Sequence, residues 1–528
     1  MPGSDAQPLR NVLFIMCDQL RWDYLSCYGH PVLQTPAIDE LARRGVRFDR
    51  AYVQSPVCVP SRMSFYSGRY MSSHGSTWNH VPFSADQVTL GDHLARAGRT
   101  ATLAGKTHVI PDTASLERLG LPKDSRDARL RLDGGFGELD RYDGHAPPGR
   151  ESGYADYLRA HGYDSPDPWT DYVIGTVDEQ GNAASGWLLR YAHLPAKVAE
   201  RHSETAYMTD RALAFMEAQG DKPWVLHLSY IKPHWPLMAP APYHAMYRGA
   251  DSGPIIRADP ARENAHPVVQ AYRAAHGDCL SYAREDVVRH VRPTYMGLVK
   301  QVDDHLQRVI DFLDSSGRSR DTLIIFTSDH GDHLGDHGLG EKELFYEQAV
   351  RVPMIVVDPR PQARATRGSA SLAMVESVDV VPTILDSLGL DAADHVVEGR
   401  SLTPLLHGHG HGDWRDAAIS ELDYGFRAAR HALGRRPDAC RGWMVRTDRW
   451  KFVHWQGMRP QLFDMAQDPD ETVDLGDAPG LDHVRHDMRD RLLAWSLQRK
   501  VRTTVDDATV IRRTEDHRDS GRIFIGVW

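Results

Sequence analysis

The chain has 528 residues, 41% hydrophobic and 25% charged, with 72 acidic against 62 basic side chains and a formal net charge of −10. This is a globular composition, long enough for two domains or for one large domain with an appendage. The acidic surplus argues against nucleic acid as a partner, because phosphate-backbone binders carry a basic surplus. Five scattered cysteines, Cys17, Cys27, Cys58, Cys279 and Cys440, form no CxxC pair and outline no disulfide framework. The N-terminal MPGSDAQPLR lacks the apolar stretch of a secretory signal, and NVLFIM is too short to span a membrane. The expectation is a soluble cytoplasmic protein with no membrane partner. Its 28 histidines favour metal or proton-transfer chemistry.

In chain order, NVLFIMCDQ is the first short apolar run that ends in polar residues. WVLHLSYIKPH, TLIIFTSDHGDH and VPMIVVD follow the same pattern. Runs of that length, apolar on both faces, suit strands buried in a parallel sheet. Helical patterns lie between them. TPAIDELARRG opens on Thr-Pro and closes on Gly45. YMGLVKQVDDHLQRVIDFLDSSG puts Leu298, Val302, Leu306, Val309 and Leu313 on one face before Gly317. Alternating strands and helices predict an α/β fold with a mostly parallel central sheet flanked by helices. Residues 110–200 are rich in Arg, Asp, Gly and Pro with little periodicity, and read as a long excursion, a lid or an oligomer contact. From about 415 the pattern changes to short strands, GWMVRTDRWKFVHW and PQLFDMAQDPDE, then an amphipathic helix, VRHDMRDRLLAWSLQRK. The expected organisation is a catalytic domain over 1–414, a smaller α+β domain over 415–505 and a tail over 506–528. The tail ends in IFIGVW, which is expected to pack against a neighbouring subunit as an oligomer contact.

Polar residues follow three of the strands: Asp18 and Gln19, Lys232 and His234, Asp329 and His330. Open parallel sheets bind ligands outside the carboxyl ends of their strands, so three distant segments can converge on one site. The stretch SPVCVPSRMSFYSGRY adds a cysteine, Cys58, beside Pro60 and Arg62. By itself such a cysteine is more often a small core residue than a nucleophile.

Five motifs change that balance. Cys-x-Pro-Ser-Arg at 58–62, the Asp-Gln after the first strand, GKTH, KPHWP and SDHGDHLGDHG with a following Glu-Lys stand in one order. That order resembles the sulfatase family of the alkaline-phosphatase-like superfamily. LFDMAQDPDETVDL is similar to the family's C-terminal signature, so the resemblance covers about residues 10–475. SRMSFYSGRY, HGSTWN and the Asp-His pair look most like the arylsulfatase and phosphonate monoester hydrolase subgroup.

The resemblance implies that Cys58 is oxidised to formylglycine by a formylglycine-generating enzyme that reads Pro60 and Arg62. The hydrated aldehyde is a geminal diol. One hydroxyl attacks, and the other then expels sulfate by C–O cleavage, so one difficult step becomes two easier ones. Arg62 supports the diol and the metal. The implied ligands of one divalent ion are Asp18, Gln19, Asp329 and His330 with residue 58. Two carboxylates, an amide oxygen and an imidazole favour Mn²⁺ over Ca²⁺. The extra ligands of a two-metal phosphatase are not evident. Lys106, His108 and Lys342 are expected to clamp the anion, and His234 to serve the leaving group. Asn79 either contacts the substrate anion or caps the local backbone. His333 and His337 are equally well read as a polar loop.

The expected function is hydrolysis of sulfate monoesters, an arylsulfatase activity, with phosphonate monoester and phosphodiester hydrolysis as side activities. Lys106 and His108 resemble the pair of true sulfatases, where phosphonate monoester hydrolases of the subgroup tend to carry uncharged hydroxylic residues. The alternative makes the phosphonate or phosphodiester activity the main one. A catalytically silent binding protein is the remote alternative. By analogy with the subgroup the chain is expected to form a homotetramer.

Overall fold

The computed structural model describes residues 7–144, 152–259, 264–409 and 412–519. The strands of the large domain are β1 (Asn11–Asp18), β2 (Val46–Tyr52), β3 (Ala101–Gly105), β4 (Phe136–Arg141), β5 (Gly175–Val177), β6 (Ala183–Ser185), β7 (Val225–Pro233), β8 (Thr322–Ser328), β9 (Arg351–Val357), β10 (Ser369–Ser371) and β11 (Val375–Glu376). Nine of them form one sheet in the order β10-β2-β9-β8-β1-β7-β3-β4, with β11 pairing with β2. β1, β7 and β8 are buried along their whole length, as their unbroken apolar runs require of strands covered on both faces. Helices close both faces. Among them is Glu285–Ser315, where Leu298, Val302, Leu306, Val309 and Leu313 are all buried.

Two expectations are corrected. The run VPMIVVD is β9, and it lies antiparallel to both β2 and β8. The chain passes from β8 to β9 through a loop and one short helix, Glu347–Val350, without a crossover helix, so it returns in the opposite sense. The long helix begins ten residues before Tyr295 and runs through Pro293. Proline removes one hydrogen bond, but the burial of Val288 and Val291 continues the apolar face across it.

The described part of the 110–200 excursion is structured. It supplies the edge strand β4 and the antiparallel hairpin β5–β6. From β12 (Ala417–Asp423) through β13 (Arg441–Thr447), β14 (Trp450–Trp455) and β15 (Gln461–Asp464), the C-terminal region is a separate four-stranded antiparallel sheet. The helix Asp482–Leu497 follows and buries Val484 and Met488. The IFIGVW terminus lies outside the described residues. Among those described, no helix is long and apolar enough to cross a membrane.

Candidate active site

β8, β1 and β7 are adjacent and parallel, so their carboxyl ends open at one place. β1 ends on Asp18. Gln19 then turns the chain in the left-handed region, with φ of 66°, and its N–H donates to Asp329 Oδ1 at 3.0 Å. β3 lies on the far side of β7 and ends on Gly105. A Cβ at Gly105 would stand 2.0 Å from the Ser229 carbonyl oxygen, so only glycine lets the two strands stay paired there. The next residue, Lys106, donates its N–H to that same carbonyl. Its ammonium reaches Asp18 Oδ2 at 2.6 Å.

The Cys58 motif forms the start of a helix, Cys58–Ser67, in which all ten residues are buried. Cys58 is its first residue and Pro60 its third, where a missing N–H leaves no helical bond unmade. Asn79 Oδ1 accepts the Val59 N–H at 3.0 Å. One turn after Cys58, Arg62 projects from the same face. Its Nε donates to Asp329 Oδ2 at 2.8 Å, and its other nitrogens reach Asp18 Oδ2, the Ser229 hydroxyl and the Lys106 carbonyl. Ser61 Oγ donates to the Asp329 carbonyl, which pins the loop after β8 to the helix.

Asp18, Cys58, Asp329 and His330 bring one ligand atom each within 4.8 Å of the others, and all four residues are buried. Asp18 Oδ1 is buried with no hydrogen-bond partner. A donor set of this size and an orphaned carboxylate oxygen fit a single divalent ion. Gln19 stands beside this group: its Oε1 accepts from Lys342 Nζ at 3.1 Å and its amide donates to Asp332. Cys58 Sγ lies 3.2 Å from His330 Nε2. His234 Nε2 is 3.1 Å from Lys342 Nζ, and its Nδ1 is 2.5 Å from the Trp235 carbonyl. That geometry assigns the proton to Nδ1 and leaves Nε2 accepting from the ammonium.

Burial raises the Asp18 carboxyl, but the surrounding cations, Lys106 foremost and Arg62 with it, outweigh it and hold the group well below the ordinary carboxylate range. Burial likewise pushes the Cys58 thiol up, while Lys342, His330 and Lys106 bring it below its ordinary value. The pocket therefore favours negative charge at position 58 and on any anion placed beside it.

Most of the residues singled out in the sequence meet here: Asp18, Gln19, Cys58, Arg62, Lys106, His234, Asp329, His330 and Lys342. His108 is half-buried with φ of 58°, and its N–H donates to Asp143 Oδ1 at 3.0 Å. Burial raises the Asp143 carboxyl, but Arg141 holds it far below its usual range, so a fixed carboxylate anchors this loop. His333 and His337 are neutral packing residues. Burial pushes them down to about 4 and about 3, and His337 stacks on Tyr346 at 3.9 Å. Ser229, Asp143 and Asp332 escaped the sequence reading. Asp332 lies inside SDHGDH and could have been noticed, but nothing in LHLSYIK marks Ser229.

A mostly parallel sheet whose strand ends gather these carboxylates, cations and Cys58 defines a hydrolase of the alkaline-phosphatase-like superfamily. The family model described as "Sulfatase" matches residues 10–390, and that of the N-sulphoglucosamine sulphohydrolase C-terminal region matches 335–498. The chain belongs to the sulfatase family, whose chemistry is hydrolysis of sulfate esters. It is 32% identical to the multifunctional alkaline phosphatase superfamily protein PehA of Trinickia caryophylli over 94% of this chain and 96% of that one. It is 26% identical to an arylsulfatase of Clostridium perfringens over 88% and 90%. Among solved structures, the phosphonate monoester hydrolase of Silicibacter pomeroyi superposes with a TM-score of 0.81 at 29% identity, covering 93% of this chain and 96% of that one.

Proposed function

We propose that the protein is a formylglycine-dependent hydrolase of sulfate monoesters, of the arylsulfatase type, that also turns over phosphonate monoesters and phosphodiesters. The observation that carries this reading is Cys58 at the head of a buried helix, facing Lys106, Lys342 and His234 across the Asp18–Asp329 group. Converted to formylglycine and hydrated, residue 58 offers one hydroxyl for attack on sulfur and a second for expelling sulfate.

Asp18, Gln19, Asp329 and His330, with residue 58, would hold a divalent ion, Mn²⁺ by the chemistry of the donors. Such an ion, when bound, supplies positive charge that polarises the ester and acidifies the attacking hydroxyl. Lys106 and Lys342 hold the nonbridging oxygens, and His108 adds a third donor. Arg62 keeps Asp18 and Asp329 aligned. Lys342 donates to His234 Nε2, so these two side chains form a path that returns a proton to the departing oxygen. Asn79 steadies the helix end that carries residue 58. We further propose a cytoplasmic enzyme that is modified by a formylglycine-generating enzyme and assembles as a homotetramer.

The reading in which phosphonate monoesters are the main substrates is favoured by the close superposition on the phosphonate monoester hydrolase structure. The tests are direct. Intact mass should show the Cys58 thiol replaced by an aldehyde or its hydrate, and Cys58→Ala should abolish turnover with the fold intact. Initial rates on aryl sulfates, phosphonate monoesters and phosphodiesters should rank the aryl sulfate first by kcat/KM. A leading phosphonate rate would promote the second reading, and near-normal activity of Cys58→Ala would end both.

A further inference from the structure

A cleft of about 950 Å³ opens beside the candidate site, between the segment that follows the hairpin β5–β6 and the start of the long helix with the residues before it. One wall is aromatic and begins at the reacting groups. Lys342 Nζ lies 5.9 Å from the centre of the Trp235 ring, and Trp235 packs on His234 with ring centres 4.9 Å apart. Trp187 continues the wall, 5.0 Å from Trp235 and edge-on to it, and is braced from behind by Trp169 at 6.0 Å. Gly186 permits this approach, since a Cβ there would stand 3.0 Å from Met238 Cβ and 3.2 Å from Pro236 Cβ. Trp187 is nevertheless 47% exposed, and Leu188 beside it equally so. A large ring fixed in place and left half open to water presents a face to whatever enters the cleft.

The charges facing that wall are mostly of one sign. Asp278, Asp332 and Glu341 line the cleft. Among the described residues none of the three has an ion-pair partner. Arg284, at the outer edge, is paired with Asp286 at 2.5 Å. Arg190 and His290 also line the cleft, with Arg190 lying over the Tyr191 ring and His290 hydrogen-bonded to the Arg190 carbonyl. Beyond Lys342 the lining is aromatic and mostly acidic, with Arg190 the one lining cation for which no carboxylate partner is seen among the described residues.

We propose that this cleft is the subsite for the organic part of the substrate, that Trp187 is its specificity-determining residue, and that the group it takes is an aromatic ring bearing a positive charge. The proposal rests on the reading that residue 58 attacks an anionic ester. The ester oxygen then lies on the His234 side, and the ring follows the Trp235–Trp187 wall. A cationic substituent gains from the aromatic faces and from carboxylates that have no ion-pair partner, while a second anion meets a mostly acidic lining.

Three aryl sulfates whose phenols are matched in acidity, and which carry a trimethylammonium, no charge or a carboxylate, test this by kcat/KM. The same three free phenols are titrated by quenching of tryptophan fluorescence, which requires no turnover. The ammonium ester should exceed the carboxylate ester by roughly tenfold or more, the scale of a desolvated cation–π contact with added charge complementarity. Trp187→Ala should raise KM for the ammonium ester by about tenfold at little change in kcat, and weaken its phenol equally, while Trp187→Phe restores most of both. Asp278→Asn should narrow the ammonium-to-carboxylate ratio severalfold. Equal kcat/KM and equal phenol binding across the series would overturn the proposal, as would a Trp187→Ala variant with unchanged binding. Trp187-dependent binding of the ammonium phenol without turnover of any ester would uphold the cleft and refute the sulfate reading instead.

Discussion

Arg62 bears more of the site than any other single side chain. Its fork holds the Asp18 and Asp329 carboxylates together with the Ser229 hydroxyl and the Lys106 carbonyl, with no exposure of its own. A lysine keeps the charge but cannot make a planar set of bonds to Asp329, Asp18, Ser229 and the Lys106 carbonyl. Arg62→Lys should therefore lose about 3 kcal/mol of stability in calorimetry and at least ~10² in kcat/KM, because buried acceptors are left unpaired and Asp18 and Asp329 drift apart. A variant with wild-type melting and activity would show that charge alone suffices. At this scale the sequence was informative wherever a residue sits in a dense motif. Cys58, Arg62, Asp329 and His330 are named by their neighbours in the chain. Ser229 is not, because its place depends on which strand lies beside β7, a fact that no local pattern contains. His333 and His337 share a motif with the site yet are neutral packing groups, since burial and a Tyr346 face decide their state.

Elements were legible from their apolar runs, and their directions were not. β1, β7 and β8 read as buried strands and are so. β9 reads the same way and runs in the opposite sense, because direction is set by the connection and not by composition. The excursion hid the edge strand β4, since a six-residue strand with three half-buried positions and an exposed one leaves little periodic signal. The join of β3 to β7 carries a sharp expectation. At Gly105, with φ of 116°, a methyl group would collide with the Ser229 carbonyl. Gly105→Ala should cost about 3 kcal/mol or more by chemical denaturation, through forced φ and a broken strand pair. It should also depress kcat, because Lys106 is the next residue. Unchanged stability would mean that β3 can slide on β7 without loss.

In the whole molecule, the C-terminal sheet was expected from residue 415 and is found as β12–β15, held to the large domain by buried charge. Lys451 Nζ meets Glu347 Oε1 at 2.9 Å and Glu471 Oε1 at 2.5 Å. Glu347 lies about a hundred residues before Lys451 in the chain, which is why the join could not be read in advance. Glu421 on β12 also faces the large domain, accepting the Ser72 N–H at 3.0 Å. Burial raises its carboxyl from an ordinary 4.5 to about 7. The folded chain thus holds a proton that the unfolded chain gives up near 4.5. Stability falls as pH rises between those values, and the penalty is complete above about 7. Glu421→Gln keeps the acceptor and removes the penalty. It should raise the melting temperature at pH 8, by at most about 3 kcal/mol of stability, and leave pH 4 nearly unchanged. An equal effect at both pH values would place the cause elsewhere.

The helix that begins at Cys58 has no exposed residue, and for the modification proposed at Cys58 that implies an order of events during biosynthesis. A second enzyme that must grip Cys58, Pro60 and Arg62 cannot do so once β1, β7 and β8 have closed over them. The conversion proposed above would have to happen on the nascent or unfolded chain, in competition with folding. Purified, folded protein carrying the thiol should stay unconverted when mixed with active formylglycine-generating enzyme, while the same enzyme acts on a peptide spanning 55–70 or on chain released from denaturant. Mass spectrometry of the two samples decides it. On that proposal the fraction of competent molecules in a cell would be set by a race at the ribosome, and no later repair of an unmodified molecule would be open without unfolding it.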